Sequence, residues 1–284
     1  MGKIAVRIDE FTDPICPWAW SAEPFRRRLE WLYGDSVEFV PRMVILADDR
    51  SDQAEKGFTP EKLSGALQKI ASEHKMPIDT RVRDAVPASL PACRAVVAAR
   101  VHADPATTRH LLRELRLAHF RAELVDDEDV LREAWSAAGL DRDKLDEWTS
   151  DEGVAEELEA DRAAARKPNP AARVLDDKLA NWSGGRRYTC PTYEITRLDD
   201  EVTIAAPGFQ PFAVYDTILA NLVPGTDRRE PPESPHELLE WADCALSTRE
   251  VAVLCEIDFD RAREELGRIA SLEPIGSDGL WTLN

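Results

Sequence analysis

Residues 13–20 read Asp13-Pro14-Ile15-Cys16-Pro17-Trp18-Ala19-Trp20 and are the most informative part of the chain, because they place a cysteine between a strand and a helix. Before them, residues 3–11 alternate apolar and polar side chains, which predicts a β-strand. After them, residues 17–32 carry apolar side chains at spacings of three and four, which predicts a helix with a proline in its first turn. Cys16 is therefore expected at the N-terminus of a helix.

A cysteine in that position is a candidate nucleophile. The free backbone N–H groups and the dipole of a helix N-terminus favour negative charge. Such a thiol has its pKa lowered from about 8.5 to roughly 3.5–7.5, and the thiolate is the reactive form. The alternative is that Cys16 is a small buried apolar residue. The indole rings of Trp18 and Trp20 are expected to form an apolar wall beside the sulfur.

The rest of the first 223 residues predicts further strands and helices around this segment. Residues 37–46 read as a second strand, and no glycine occurs between Gly65 and Gly139, which favours a long helical tract. Strand patterns return at residues 190–198 and 202–206, and residues 211–222 read as a final helix. The predicted order is β-α-β, a helical insertion at about residues 58–180, then β-β-α, which is an α/β fold.

A small C-terminal domain is expected after a proline-rich linker at residues 224–235. Residues 236–284 read as three helices followed by a short hairpin, the outline of a winged helix-turn-helix. This part contains 11 Asp and Glu against four Arg, a net charge of −7. Because phosphate would be repelled by that charge, we expect residues 236–284 to contact a protein partner rather than nucleic acid.

Composition narrows the class of protein further. The chain has 284 residues with 54 acidic and 36 basic side chains, a net charge of −18, which argues against a general nucleic-acid binder. No apolar run has the length of a signal peptide or a membrane span, so a cytoplasmic protein without membrane association is expected. Its five cysteines are widely spaced and include no zinc-type pair, so no metal site is expected.

A second informative segment reads Tyr188-Thr189-Cys190-Pro191-Thr192-Tyr193-Glu194-Ile195. A proline that opens a strand is a candidate for a cis peptide bond.

Together, the segments around Cys16 and Pro191 resemble the DsbA family of the thioredoxin superfamily. That family includes FrnE-like isomerases, 2-hydroxychromene-2-carboxylate isomerases and SpxH-type adaptors. The resemblance covers about residues 3–223 and implies a thioredoxin-like fold with an inserted all-helical lobe. It implies that Cys16 is the attacking cysteine and Pro191 the cis-proline, with Thr189 and Pro191 shaping the substrate groove beside Trp18 and Trp20.

One departure from the family pattern concerns the second cysteine of its C-x-x-C motif, which is Ala19 here. A dithiol cycle within the motif is therefore excluded. If the family geometry holds, Cys190 lies beside Cys16 and is the candidate partner thiol; the alternative is that Cys190 fills a position usually held by Thr or Val. Cys93 is a further candidate, although a core position on an Ala- and Val-rich helix is favoured for it.

Two functions follow from these residues. The first is a thiol-dependent oxidoreductase or isomerase that uses Cys16, acts on a protein thiol or a small thiol conjugate, and binds no cofactor beyond a low-molecular-weight thiol as co-substrate. The second is a non-catalytic adaptor that keeps the fold as a binding platform, with residues 236–284 docking a protein partner. Ala19 favours the adaptor, and the retained Cys-Pro-Trp favours the enzyme.

Overall fold

The computed structural model describes residues 4–284. The first part of the chain contains six strands and nine helices, in the order β1 Val6–Thr12, α1 Pro17–Tyr33, β2 Val37–Met43, α2 Arg50–Glu55, α3 Pro60–His74, α4 Leu90–His102, α5 Pro105–Phe120, α6 Glu128–Ala137, α7 Lys144–Thr149, α8 Glu152–Ala165, β3 Leu179–Trp182, β4 Gly185–Tyr188, β5 Thr192–Arg197, β6 Thr203–Ala206 and α9 Phe212–Leu222. The last part contains α10 Pro235–Trp241, β7 Leu246–Ser247, α11 Thr248–Leu254, α12 Phe259–Ile269, β8 Ala270–Ile275 and β9 Asp278–Leu283.

The central sheet has the strand order β2-β1-β5-β6, with β1 and β2 parallel and the remaining pairs antiparallel. The expected α/β order, with a helical insertion between the two halves of the sheet, is confirmed. The hairpin β3–β4 was not predicted; it forms a separate two-stranded sheet that turns at Ser183 and Gly184 and leads directly into the Cys190 segment. Strand β2 ends at Met43, three residues before the predicted end.

The inserted helices form a lobe around α4. Its Ala- and Val-rich face, together with Cys93, is fully buried against apolar side chains of α5, α6 and α8 such as Leu111, Trp135 and Leu158. Ile15 belongs to the same cluster, so the lobe packs directly on the turn that precedes Cys16. The lobe is also tied to β2, because the buried carboxylate of Asp161 accepts a hydrogen bond of 2.9 Å from the backbone N–H of Met43.

The C-terminal module, residues 235–284, is a three-stranded antiparallel sheet of order β7-β9-β8 with three helices. Its assignment as a winged helix stays a prediction, as do the domain boundaries. The module packs on the first part of the chain: Ile275 and Leu280 of its hairpin lie in one apolar cluster with Met76 and Ile78 of the helical lobe. The segment predicted as a linker also contacts α1, because Glu230 accepts a 2.7 Å hydrogen bond from the indole of Trp31.

Buried ion pairs strengthen this contact. Arg113 of α5 donates to both carboxylate oxygens of Glu250 in α11, at 2.8 and 3.1 Å, and both side chains are fully buried. Arg116 of the same helix donates to Glu23 in α1 at 2.6 Å and to Glu10 in β1 at 3.0 Å. One helix of the inserted lobe therefore connects the sheet, α1 and the C-terminal module through charged side chains shielded from water.

Candidate thiol site

Cys16 is the N-cap residue of α1 and follows directly on the turn at the end of β1. Its backbone is extended, with φ −80° and ψ 114°, and its carbonyl accepts the first helical hydrogen bond, from the N–H of Trp20 at 3.1 Å. Pro17 takes the first helical position, where the missing N–H costs no helical hydrogen bond. The predicted position of Cys16 at a helix N-terminus is confirmed, and its side chain is only 5 % exposed.

Cys190 lies against Cys16, across 174 positions of sequence. The peptide bond between Cys190 and Pro191 is cis, as predicted. The Cys16 thiol donates to the backbone oxygen of Cys190, with an Sγ···O distance of 3.5 Å. Both cysteines are free thiols. The fold therefore brings two cysteines from distant segments next to each other.

The two thiols have opposite pKa shifts. The hydrogen bond from Cys190 lowers the pKa of Cys16, burial opposes that effect, and the backbone N–H groups of Ala19 and Trp18 lower it further. Burial raises the pKa of Cys190 well above its ordinary value, and contact with Cys16 adds to the rise. When one proton leaves the pair, it therefore leaves from Cys16, and the Cys190 thiol remains protonated to donate to the Cys16 thiolate.

Asp13 is a site residue that was not among those predicted from the sequence. Its carboxylate is fully buried and accepts hydrogen bonds from the N–H groups of Ile15 at 3.0 Å and Leu46 at 2.8 Å. Burial raises the pKa of Asp13, and its negative charge opposes ionisation of Cys16. An acidic side chain in the turn between β1 and the cysteine is the sequence signal that could have identified it.

Cys93 has the core position that the sequence favoured. It is fully buried on α4, and its Sγ donates to Oδ2 of Asp13 at 3.5 Å. Burial raises the pKa of Cys93 well above its ordinary value, so it is a neutral hydrogen-bond donor to Asp13. Among residues 4–284, no group of three or more His, Cys, Asp or Glu side chains is arranged to hold a metal ion.

The two tryptophans after Cys16 lie on different sides of α1. Trp18 is 39 % exposed and forms an aromatic rim with His74 and Phe209, at ring-centre distances of 5.0 and 5.7 Å. Trp20 was expected in the same wall, and this expectation is wrong. Its ring is fully buried against Phe120, and its indole donates to the backbone oxygen of Pro77 at 3.0 Å.

The physical reason is helical geometry: residues two apart in a helix differ in direction by about 200°, so Trp18 and Trp20 cannot share a face. His74 and Phe209 were missed because each comes from a distant segment. Thr189 is half-buried and donates from Oγ1 to the backbone oxygen of Lys178 at 2.7 Å. A role for Thr189 and Pro191 in substrate binding stays a prediction.

With this geometry in place, the class of protein is clear. The family model for the DSBA-like thioredoxin domain matches residues 7–171, which is more than half of the chain. The chain belongs to that family, and the resemblance seen in the sequence is confirmed.

The individual relatives are named for two different functions, an adapter and a disulfide oxidoreductase or reductase. The ClpXP adapter protein SpxH of Halalkalibacterium halodurans is 27% identical over 288 residues, covering 97% of this chain and 88% of the relative. Among solved structures, a probable DsbA oxidoreductase from Streptomyces coelicolor has a TM-score of 0.54 with 20% identity, covering 85% of this chain and 95% of the other. The cytosolic disulfide reductase DsbM from Pseudomonas aeruginosa has a TM-score of 0.53 with 18% identity, covering 76% of this chain and 99% of the other. Both structures share the fold with this chain.

No helix within the described residues is long and apolar enough to cross a membrane.

Proposed function

We propose that this protein carries out thiol–disulfide exchange with a protein partner, using Cys16 as the attacking thiol and Cys190 as the resolving thiol. The observation that carries the proposal is the position of Cys190 against Cys16, with Cys16 Sγ 3.5 Å from the Cys190 carbonyl oxygen. The opposite pKa shifts of the two sulfurs support it. The lowered pKa of Cys16 favours its thiolate, which is the form that attacks a disulfide, and so assigns the first attack to Cys16 rather than to Cys190.

The exchange proceeds in two steps. The Cys16 thiolate attacks one sulfur of a partner disulfide, an S–S bond forms at Cys16, and the other partner sulfur leaves as a thiolate that takes up a proton. Cys190 then loses its proton and attacks Cys16 Sγ, which closes a Cys16–Cys190 disulfide and releases the second partner thiol. The partner gains two electrons and the protein dithiol loses two. A low-molecular-weight thiol would return the protein to its reduced form.

The surroundings of the thiol pair favour a substrate disulfide that lies on the surface of another protein. Cys16 and Cys190 are 5 % and 7 % exposed, and a cavity of about 920 Å³ lies elsewhere, lined by residues such as Arg109 and Trp241. No lining residue of that cavity belongs to the thiol site. The exposed ring of Trp18 supplies an apolar contact at the rim, which suits a protein segment or a small thiol conjugate.

A second candidate function is that of a binding adaptor without thiol turnover. The alignment with the SpxH relative, which is named as a ClpXP adapter, extends over 97% of this chain and therefore includes the C-terminal module. The module is joined to the rest of the chain by the buried Arg113–Glu250 pair. In this reading the module provides a docking surface for a protein partner, and the low exposure of Cys16 reflects a structural role.

A trapping experiment distinguishes the two functions. The reduced protein is exposed to a small disulfide such as cystamine, quenched with acid, and examined by peptide mass spectrometry. Exchange predicts a Cys16–Cys190 disulfide in the wild type and a persistent Cys16 adduct in Cys190→Ser. Cys255→Ser is the matched control, because Cys255 is a free thiol at the end of α11 in the C-terminal module, and it is expected to behave as the wild type. An unmodified Cys16 in all three proteins would favour the adaptor.

A further inference from the structure

Residues 166–188, termed the basic segment here, carry a charge opposite to that of the whole protein. The segment contains six Lys and Arg side chains and two Asp side chains, a net charge of +4, in a chain whose net charge is −18. The rest of the chain therefore carries −22. Structurally, the basic segment comprises the turn after α8, a 3-10 helix over Ala172–Lys178 and the hairpin β3–β4.

Most of these positive charges are not neutralised by the protein itself. Arg186 pairs with Asp176 at 2.9 Å. Within residues 4–284, no carboxylate lies within 4.0 Å of the other five cationic groups, which belong to Arg166, Lys167, Arg173, Lys178 and Arg187. Some arginines on other faces are paired with two carboxylates: Arg50 binds Asp126 and Asp127 at 2.7 Å, and Arg132 binds Glu128 and Asp146 at 2.7 and 2.6 Å. The basic segment is therefore a concentrated, unneutralised positive surface.

This surface borders the thiol pair. Four apolar side chains in or next to the basic segment pack in the same cluster as Cys16 and Cys190, namely Ala165, Ala172, Leu179 and Tyr188. The backbone oxygen of Lys178 accepts the hydrogen bond from Thr189, the residue before Cys190. Arg187 donates from Nη1 to the backbone oxygen of Tyr188 at 2.7 Å, and its charge acts on the Cys190 thiol.

Apolar side chains protrude between the charges. Val174 is 82 % exposed and Leu175 is 45 % exposed, and both lie on the 3-10 helix between Arg173 and Lys178. Val174 is the most exposed large apolar side chain in the described part of the chain, so it is available for contact with another polypeptide. Exposed aliphatic side chains of this kind add little to nucleic-acid binding. The phosphates of a nucleic acid would also be repelled by the negative charge of the rest of the chain.

We propose that the basic segment docks an acidic polypeptide segment and thereby delivers a partner's cysteine or disulfide to Cys16. Attraction between opposite charges orients the partner and speeds its association, while Val174 and Leu175 bury against its apolar side chains. The delivery of a thiol rests on the proposed function, but the docking itself requires no thiol chemistry.

The test uses a fluorescent peptide of about 12 residues that is rich in Asp and Glu, contains one Leu, and has Ser in place of Cys. Its binding to the full-length protein is followed by fluorescence anisotropy at physiological salt. We expect saturable binding to the wild type. The triple charge reversal Lys167→Glu, Arg173→Glu and Lys178→Glu should weaken that binding roughly tenfold or more, since each exposed charge pair is worth up to about 1 kcal/mol.

A matched control changes the net charge equally at sites away from the basic segment. Lys69→Glu, Arg142→Glu and Arg268→Glu lie on exposed positions of α3, the loop before α7, and α12. This control variant should bind the acidic peptide nearly as well as the wild type. Equal weakening by both triple variants would show a general effect of net charge and would overturn the proposal.

Two further measurements keep docking separate from thiol exchange. The triple variant of the basic segment should still form the Cys16–Cys190 disulfide with 2-hydroxyethyl disulfide, a substrate that carries no charge. Failure of that reaction in the wild type would contradict the exchange function. The docking proposal would still be tested by the binding of the acidic peptide. The docking proposal is overturned if the wild type does not bind the acidic peptide, or if single-stranded oligothymidylate of equal charge binds it more tightly.

Discussion

Replacement of Arg113 by methionine tests whether the buried ion pairs hold the C-terminal module in place. Arg113 donates to both carboxylate oxygens of Glu250 and, at 2.7 Å, to the backbone oxygen of Ala245. The substitution Arg113→Met keeps a long apolar side chain in the same space but leaves the Glu250 carboxylate buried without its cation. The N–H and hydroxyl groups of Ser247 still donate to that carboxylate, at 2.7 and 2.9 Å.

Breaking a buried pair by removing one partner costs about 3–5 kcal/mol, because the remaining charge loses its compensation. At about 2 °C per kcal/mol for a chain of this size, the melting temperature should fall by roughly 6–10 °C. The double variant Arg113→Met with Glu250→Gln should recover part of this loss, since Gln carries no charge and can still accept from Ser247.

The loss should depend on pH with a defined sign. Burial alone would raise the pKa of Glu250, but Arg113 more than offsets it and holds the pKa below its ordinary value. In the wild type the ionised Glu250 therefore stabilises the fold above the unfolded-state pKa of about 4.3, and this stabilisation is lost as the pH falls through the folded-state pKa. Without Arg113, burial raises the pKa, so the variant regains stability as its carboxylate takes up a proton on acidification.

Calorimetric melting of the wild type and the variants at pH 8 and pH 5 measures both effects. Arg132, which pairs with the exposed side chains of Glu128 and Asp146, supplies the control Arg132→Met, for which a loss below about 1 kcal/mol is expected. The reasoning is refuted if Arg113→Met costs no more than this control, or if its destabilisation grows between pH 8 and pH 5.

Two further predictions concern packing. Trp20→Ala should destabilise the protein by about 3–5 kcal/mol in urea denaturation, because its ring is fully buried, whereas Trp18→Ala should cost less than about 1 kcal/mol; equal costs would contradict the assignment of the two rings to different sides of α1. Gly276→Ala should lower the melting temperature by several degrees, since Gly276 has a φ of +60° and an added Cβ would lie 2.0 Å from the backbone oxygen of Ile78. A melting temperature equal to that of the wild type would show that the hairpin of the C-terminal module does not pack closely against the helical lobe.

The parts of the site that the sequence predicted correctly are those fixed by local rules. The strand, the turn and a first-turn proline placed Cys16 at a helix N-terminus, and a proline opening a strand placed the cis bond at Pro191. Hydrophobic periodicity likewise predicted the order of the strands of the central sheet and of the helices between them. It could do so because the spacing of apolar residues within each element identifies the face that is buried.

The features of the site and fold that could not be predicted from the sequence depend on contacts between distant segments. Asp13 forms hydrogen bonds with Leu46 and Cys93, and neither partner is visible from the residues near Asp13. The hairpin β3–β4 escaped prediction because its strands are only four residues long, and β4 begins with a glycine followed by two adjacent arginines rather than an alternating pattern. The wrong placement of Trp20 has a different origin, since helical geometry alone would have separated it from Trp18.

The central claim is that Cys16 and Cys190 form one functional thiol pair, and a titration of the Cys16 thiolate tests it most directly. Absorbance at 240 nm is followed against pH, and the signal of Cys16→Ser is subtracted to isolate Cys16. We predict a pKa below the ordinary value of about 8.5, a clear rise in Cys190→Ala, and little change in Cys190→Ser, whose hydroxyl still donates to the thiolate. A Cys16 pKa at or above the ordinary value in the wild type, or one unaffected by Cys190→Ala, would contradict the pairing.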